Sequence, residues 1–152
     1  MNKYRKGYTL VELLAALALL VAVVGVGYSI YIMGVRGYIV SVKKMEIQQN
    51  VRSAASYIQR RLLTASEQEV AELYIDGLKT LKVGNEYFNL KDTTLRVNLE
   101  YSSSERTFNP LAEGITEFSF KIEGKRVEVT VAGGVEGKDD YFAVTFEVLL
   151  RH

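Results

Sequence analysis

The chain contains no cysteine, so neither a disulfide nor a thiolate metal site is available to it. That absence does not decide the compartment, because oxidising surroundings permit disulfides without requiring them. The single histidine is His152, at the last position. A Ser-His-Asp triad or a site of several histidine ligands has no basis here. Proline occurs once, at Pro110, so no proline interrupts a helix before that point. The net charge of +1 over 152 residues sets up no global field toward nucleic acid or anionic lipid. A chain of this length suits one soluble domain with an appendage.

A further absence is local. The 23 residues from Leu13 to Val35 include no Asp, Glu, Lys, Arg, Asn, Gln, His or Pro. As a helix they would span roughly 34 Å, enough to cross a bilayer core of about 30 Å. Lys3, Arg5 and Lys6 precede this run. Basic residues on that flank hold it in the cytoplasm, so the C-terminal part is expected to cross. A secretory signal peptide would have a shorter apolar core followed by a small-residue cut site. A plain uncleaved anchor fits the length and the flanks. Neither accounts for Glu12, because a carboxylate inside a membrane helix is expensive and marks function by default.

Lys6-Gly7-Tyr8-Thr9-Leu10-Val11-Glu12-Leu13-Leu14 resembles the N-terminal signature of type IV pilins and type II secretion pseudopilins. Tyr8, where the family usually has Phe, keeps the ring and adds a hydroxyl. The resemblance implies cleavage of the Gly7–Tyr8 bond by a membrane prepilin peptidase and methylation of the new amine on Tyr8. The basic leader with Lys3, Arg5 and Lys6 would stay cytoplasmic. The mature chain would have 145 residues and a side-chain charge of −2. Gly7 presents no side chain to obstruct a peptidase cleft. The resemblance pairs the Glu12 carboxylate with the Tyr8 ammonium between neighbouring subunits. A charge pair that is costly to break specifies position, here the axial register.

Gly25, Gly27, Gly34 and Gly37 allow either close helix approach in lipid or local helix flexibility, and Gly25 and Gly27 are not a small-xxx-small pair. Tyr28, Tyr31 and Tyr38 mark the outer interface. Beyond it, Val51, Ala55, Ile58 and Leu62 form one helical stripe, with Arg52, Gln59 and Arg60 opposite. Thr64-Ala-Ser-Glu67 and Ser66-Glu-Gln-Glu69 both have capping-box spacing, so the helix is expected to end or break near Ala65. Short β-like runs follow at Ala71–Ile75, Thr80–Val83, Tyr87–Leu90, Leu95–Tyr101, Ile115–Glu123, Arg126–Ala132 and Tyr141–Leu150. Asp76-Gly77, Gly84-Asn85, Lys91-Asp92, Glu123-Gly124-Lys125 and Gly133-Gly134 punctuate them as turns.

These readings predict an α+β fold, a long N-terminal helical spine packed on a small antiparallel β-sheet domain. The expected divisions are a leader at 1–7, an assembly helix at 8–38, its amphipathic continuation at 39–66 and an extracytoplasmic β-rich domain at 67–152. Pro110-Leu-Ala-Glu-Gly-Ile115, then Thr116-Glu-Phe-Ser-Phe120, a hairpin and a last strand ending Leu149-Leu150-Arg151 are similar to J-type minor pseudopilins and W-type minor pilins, in which a Leu-x-x-x-Ile/Val-x-x-Phe-x-Phe strand follows a loop. That similarity implies a structural subunit that initiates or caps a pilus-like fibre for secretion, pilus function or DNA uptake. A tip adhesin, a DNA-binding minor pilin and a major fibre subunit are the alternatives. The implied partners are the prepilin peptidase, other pilin or pseudopilin subunits, the inner-membrane assembly platform and membrane lipid before assembly.

No cofactor is expected. Asp139 and Asp140, with Glu136 and Gly137 nearby, offer oxygens of the kind Ca²⁺ takes but without EF-hand spacing, and read as a solvated acidic loop. Ser102-Ser103-Ser104 with Glu105 and Arg106 reads as a loop, since no histidine base is at hand. Gly124-Lys125-Arg126 reads as a hairpin turn and not a phosphate loop. Lys43-Lys44 alone are too few charges to argue for lipid or DNA. No catalytic constellation supports an enzyme.

Overall fold

The computed structural model describes residues 9–99 and 107–151. The leader, Tyr8, Tyr101, the Ser102–Ser104 run, Glu105, Arg106 and His152 lie outside them. One helix, α1, runs Leu10–Thr64. The chain forms two compact units, residues 1–41 and 42–152. In the first, every described residue but Ile32 is exposed, as an apolar helix with no protein around it must be.

Among the described residues the second unit holds the rest of α1 and eight strands: β1 Val70–Ile75, β2 Leu78–Val83, β3 Glu86–Lys91, β4 Thr94–Asn98, β5 Asn109–Glu113, β6 Ile115–Glu123, β7 Arg126–Gly133 and β8 Phe142–Leu149. They form two antiparallel sheets, one ordered β1-β2-β3-β4-β5 and the other β6-β7-β8. The expected α+β architecture is therefore present, with two sheets where one was predicted. Asp76 and Gly77 both have positive φ (53° and 76°), the pairing a two-residue β1–β2 turn requires.

The helical stripe is the seat of the core. Ile47, Val51, Ala54, Ala55, Ile58 and Leu62 are buried in one cluster with Leu81, Phe88, Leu95, Ile115, Val127, Val129 and Val131. Burying each large side chain contributes about 1.5–3 kcal/mol. Tyr57 meets Phe88 edge-on with ring centroids 6.1 Å apart. Phe120 is buried, while Phe118 and Ile122 on the same strand face are half-buried. On β8 the inward positions Phe142, Val144 and Phe146 are also half-buried, because β8 is the last strand of its sheet.

Two sequence expectations need correction. β5, Asn109–Glu113, falls between the β-like runs expected from the sequence. Pro110 is tolerated because β5 is an edge strand and the β4–β5 register shifts between Leu95 and Arg96. Gly133, read as part of a turn, closes β7 and pairs with both Ile115 and Phe142. It serves helix–sheet contact: a Cβ there would lie 2.8 Å from Ile47 Cγ2 and 3.0 Å from Val51 Cγ2.

Of the two possible capping boxes, the second forms. Ser66 N and Oγ both donate to Glu69 Oε2 at 2.8 Å, opening a 3₁₀ turn at Glu67–Glu69. Thr64 Oγ1 instead donates back to the Arg61 carbonyl at 2.9 Å. Bonds from Arg151 N to Ala65 O (3.2 Å) and from Glu67 N to Arg151 O (3.3 Å) tie the end of the last strand to the end of the helix.

Candidate assembly segment

Thr9 is the N-cap of α1 and Glu12 its third helical residue. Glu12 N donates to Thr9 Oγ1 at 3.2 Å, while Thr9 N and Thr9 Oγ1 donate to Glu12 Oε2 at 2.9 and 3.1 Å. This is a reciprocal capping box, which satisfies backbone donors that a helix start leaves open. In hydrocarbon such donors have no water to turn to. Thr9 stands in the quoted signature, but its capping role was not read from the sequence. Its signal was the Thr-x-x-Glu spacing before an apolar run, the same rule applied at Thr64 and Ser66.

Only one Glu12 oxygen is engaged. Glu12 Oε1 has no hydrogen-bond donor among the described residues. The carboxylate thus closes the helix start with one oxygen.

Polar groups farther along the run are internally satisfied. Ser29 Oγ donates to the Gly25 carbonyl at 2.9 Å and Ser41 Oγ to the Gly37 carbonyl at 2.8 Å, so neither hydroxyl is an unmet cost in lipid. A Cβ placed on Gly25, Gly27, Gly34 or Gly37 would meet nothing within 4 Å, so these positions are open to a neighbour. Tyr28, Tyr31 and Tyr38 are exposed. The helix is long and apolar enough to cross a membrane.

Gly7, Tyr8, Lys3, Arg5 and Lys6 lie outside the described residues. Asp139 and Asp140 sit in the β7–β8 loop, far along the chain from Glu12. The Asp140 carboxylate accepts a long bond, 3.5 Å, from Val135 N. Among the described residues no three His, Cys, Asp or Glu side chains converge as metal ligands, so these aspartates lack a third partner of that kind.

Residues 2–28 match the prokaryotic N-terminal methylation motif. Comparison with curated proteins and with solved structures returned no match. The match is confined to the N-terminal segment and supports a prepilin-type signature there. Together with the long apolar helix it fits a membrane-anchored subunit.

Proposed function

We propose that this chain is a minor pilin or pseudopilin, a low-copy subunit that initiates or caps a pilus-like fibre. One observation supports the pilin-like part of this reading: the methylation motif over residues 2–28 contains the Thr9–Glu12 capping box, with one carboxylate oxygen uncommitted among the described residues. In the proposed sequence of events, the chain inserts with Lys3, Arg5 and Lys6 on the cytoplasmic side. The peptidase cuts between Gly7 and Tyr8, and the amine of Tyr8 is methylated. The ammonium at Tyr8 of one subunit then meets Glu12 of its neighbour. In a water-free environment an unpaired charge is heavily penalised, so the pair sets the stagger between helices. The core-lined second unit is displayed outside the membrane.

Mass spectrometry of the mature N-terminus tests the processing step. The expected product begins at Tyr8 and carries a methyl group. An intact Met1, or a cut well beyond Tyr8, overturns it. The copy number in sheared fibres tests the minor role: trace amounts support it, and abundance along the fibre replaces it with a shaft role.

A further inference from the structure

The described residues form four sheet edges, on β1, β5, β6 and β8, and three of them are blunted. β5 carries Pro110 and faces a register shift, and the β6 ladder shifts between Ile115 and Glu117. β1 is six residues long, with Glu72 tied to Lys79 at 3.2 Å. Such devices keep an edge from templating another strand. β8 has eight residues, no proline, no glycine and an unbroken register with β7. Its one charge, Glu147, is already paired with Arg126 at 3.0 Å.

Leu150 N donates to the Lys125 carbonyl at 2.8 Å, so the even-numbered positions of β8 bond to β7. The odd-numbered positions, Ala143, Thr145, Glu147 and Leu149, and Arg151 beyond them, therefore turn their N–H and C=O groups away from β7. Arg151 uses both groups. It donates to Ala65 O at 3.2 Å and accepts from Glu67 N at 3.3 Å, which holds Ser66 beside it as a parallel bridge. The other four have no backbone partner on that side among the described residues. They leave open a row of donors and acceptors about 20 Å long. Next to this row, Phe142, Val144 and Phe146 pack on the core but stay half-buried. Arg52 of α1 lies over the Phe142 ring, 5.1 Å from its centroid, and has no carboxylate partner among the described residues.

We propose that β8 receives an extended segment of a different polypeptide as the fourth strand of the β6-β7-β8 sheet. An extended backbone presents donors and acceptors at the two-residue repeat that this row requires. The inward residues of that segment are apolar where they meet Phe142, Val144 and Phe146, with a carboxylate at the end beside Arg52. The β8 strand of a second copy does not supply that carboxylate, because its one acid, Glu147, alternates onto the opposite, exposed face. The inference goes beyond the fibre-subunit reading and does not rest on it.

The probe is the peptide Asp-Thr-Val-Thr-Val-Thr-Val-Thr-Asp, capped at both ends, which reads the same in either direction and so fits a parallel or an antiparallel register. Fluorescence anisotropy measures its binding to the full chain in uncharged detergent micelles, and amide hydrogen exchange read by NMR locates it. At saturation, exchange should slow about tenfold or more at Ala143, Thr145, Glu147 and Leu149, with Phe142, Val144, Phe146 and Val148 little changed. Thr145→Pro removes one outward donor without touching the β7 ladder and should weaken binding about 2- to 12-fold. Val144→Lys places a charge at an inward position and keeps every backbone donor; it should weaken binding at least as much, and it replaces the proline variant if circular dichroism shows that one unfolded. Arg52→Gln should weaken binding about 1.4- to 5-fold, and leave unchanged the affinity for the same peptide with asparagine at both ends. Binding weaker than about 1 mM, slowing confined to the even-numbered amides, or unchanged affinity in the β8 variants or in Arg52→Gln overturns the proposal. So does slowing at the odd-numbered amides that grows with protein concentration and needs no peptide, because the edge would then belong to a second copy.

Discussion

Replacing Gly133 by alanine tests how closely α1 packs on β7. The φ angle at Gly133 is not in the positive region, so alanine is allowed by the backbone and the effect is steric. The new methyl would lie 2.6 Å from the Gly114 carbonyl oxygen, 2.8 Å from Ile47 Cγ2 and 3.0 Å from Val51 Cγ2. Ile47 and Val51 are core residues, 6 % and 0 % exposed, and have no room to turn aside. The carbonyl oxygen belongs to the chain itself and moves only if the β5–β6 connection moves. Overpacking a core costs about 1–3 kcal/mol, and a fixed backbone oxygen puts this case at the upper end. Replacing Gly also stiffens the unfolded chain, which returns about 0.4–1 kcal/mol. The net expectation is a loss of about 2–3 kcal/mol, or about 10–20 °C in Tm for a unit of this size. Near-ultraviolet circular dichroism of the full chain in detergent, which reports on packed tyrosines, gives the melting curve. Gly25→Ala is the control, since nothing lies within 4 Å of a Cβ there. A Gly133→Ala protein melting within about 2 °C of the parent would refute the close approach.

The two jobs of Glu12 can be separated. Glu12→Gln keeps a capping-box partner for Thr9 but removes the charge, whereas Thr9→Ala removes the box and keeps the charge; fibre assembly should fail in the first and persist in the second, and the reverse outcome would assign Glu12 to helix capping alone. Glu69 makes a pH-dependent prediction. Hydrogen bonds from the Ser66 backbone, then from its side chain, hold its carboxyl below the ordinary value of 4.5. A lowered folded pKa contributes stability above the unfolded value and loses it as pH falls through the folded one. Glu69→Ala should therefore destabilise the protein at pH 7 and progressively less below about pH 4.5, as read by urea denaturation; a constant difference across that range would exclude the bond as its source.

Much of the fold was legible because it depends on local periodicity. The stripe Val51, Ala55, Ile58 and Leu62 is buried as its spacing required, and Val127, Val129 and Val131 face inward together. The Ser66–Glu69 box was visible as a spacing, but so was Thr64–Glu67. The second box lies where Arg151, beyond the end of β8, bonds to Ala65 and Glu67, a long-range contact that spacing alone does not reveal. β5 was hidden because a proline argues against a strand unless that strand is known to be an edge. Gly133 looked like punctuation because its requirement comes from Ile47 and Val51, more than 80 residues earlier in the chain.

By itself the sequence determined which run is apolar and long enough to cross a membrane, and which faces of its helix and strands are apolar. Those properties belong to runs and repeats of neighbouring residues, and the solvent acts on them directly. Only the tertiary structure decided that the strands divide into two sheets, that Pro110 lies on an edge, and that the helix presses onto β7 closely enough to demand glycine. These outcomes turn on register and contact between distant segments, which local patterning does not encode.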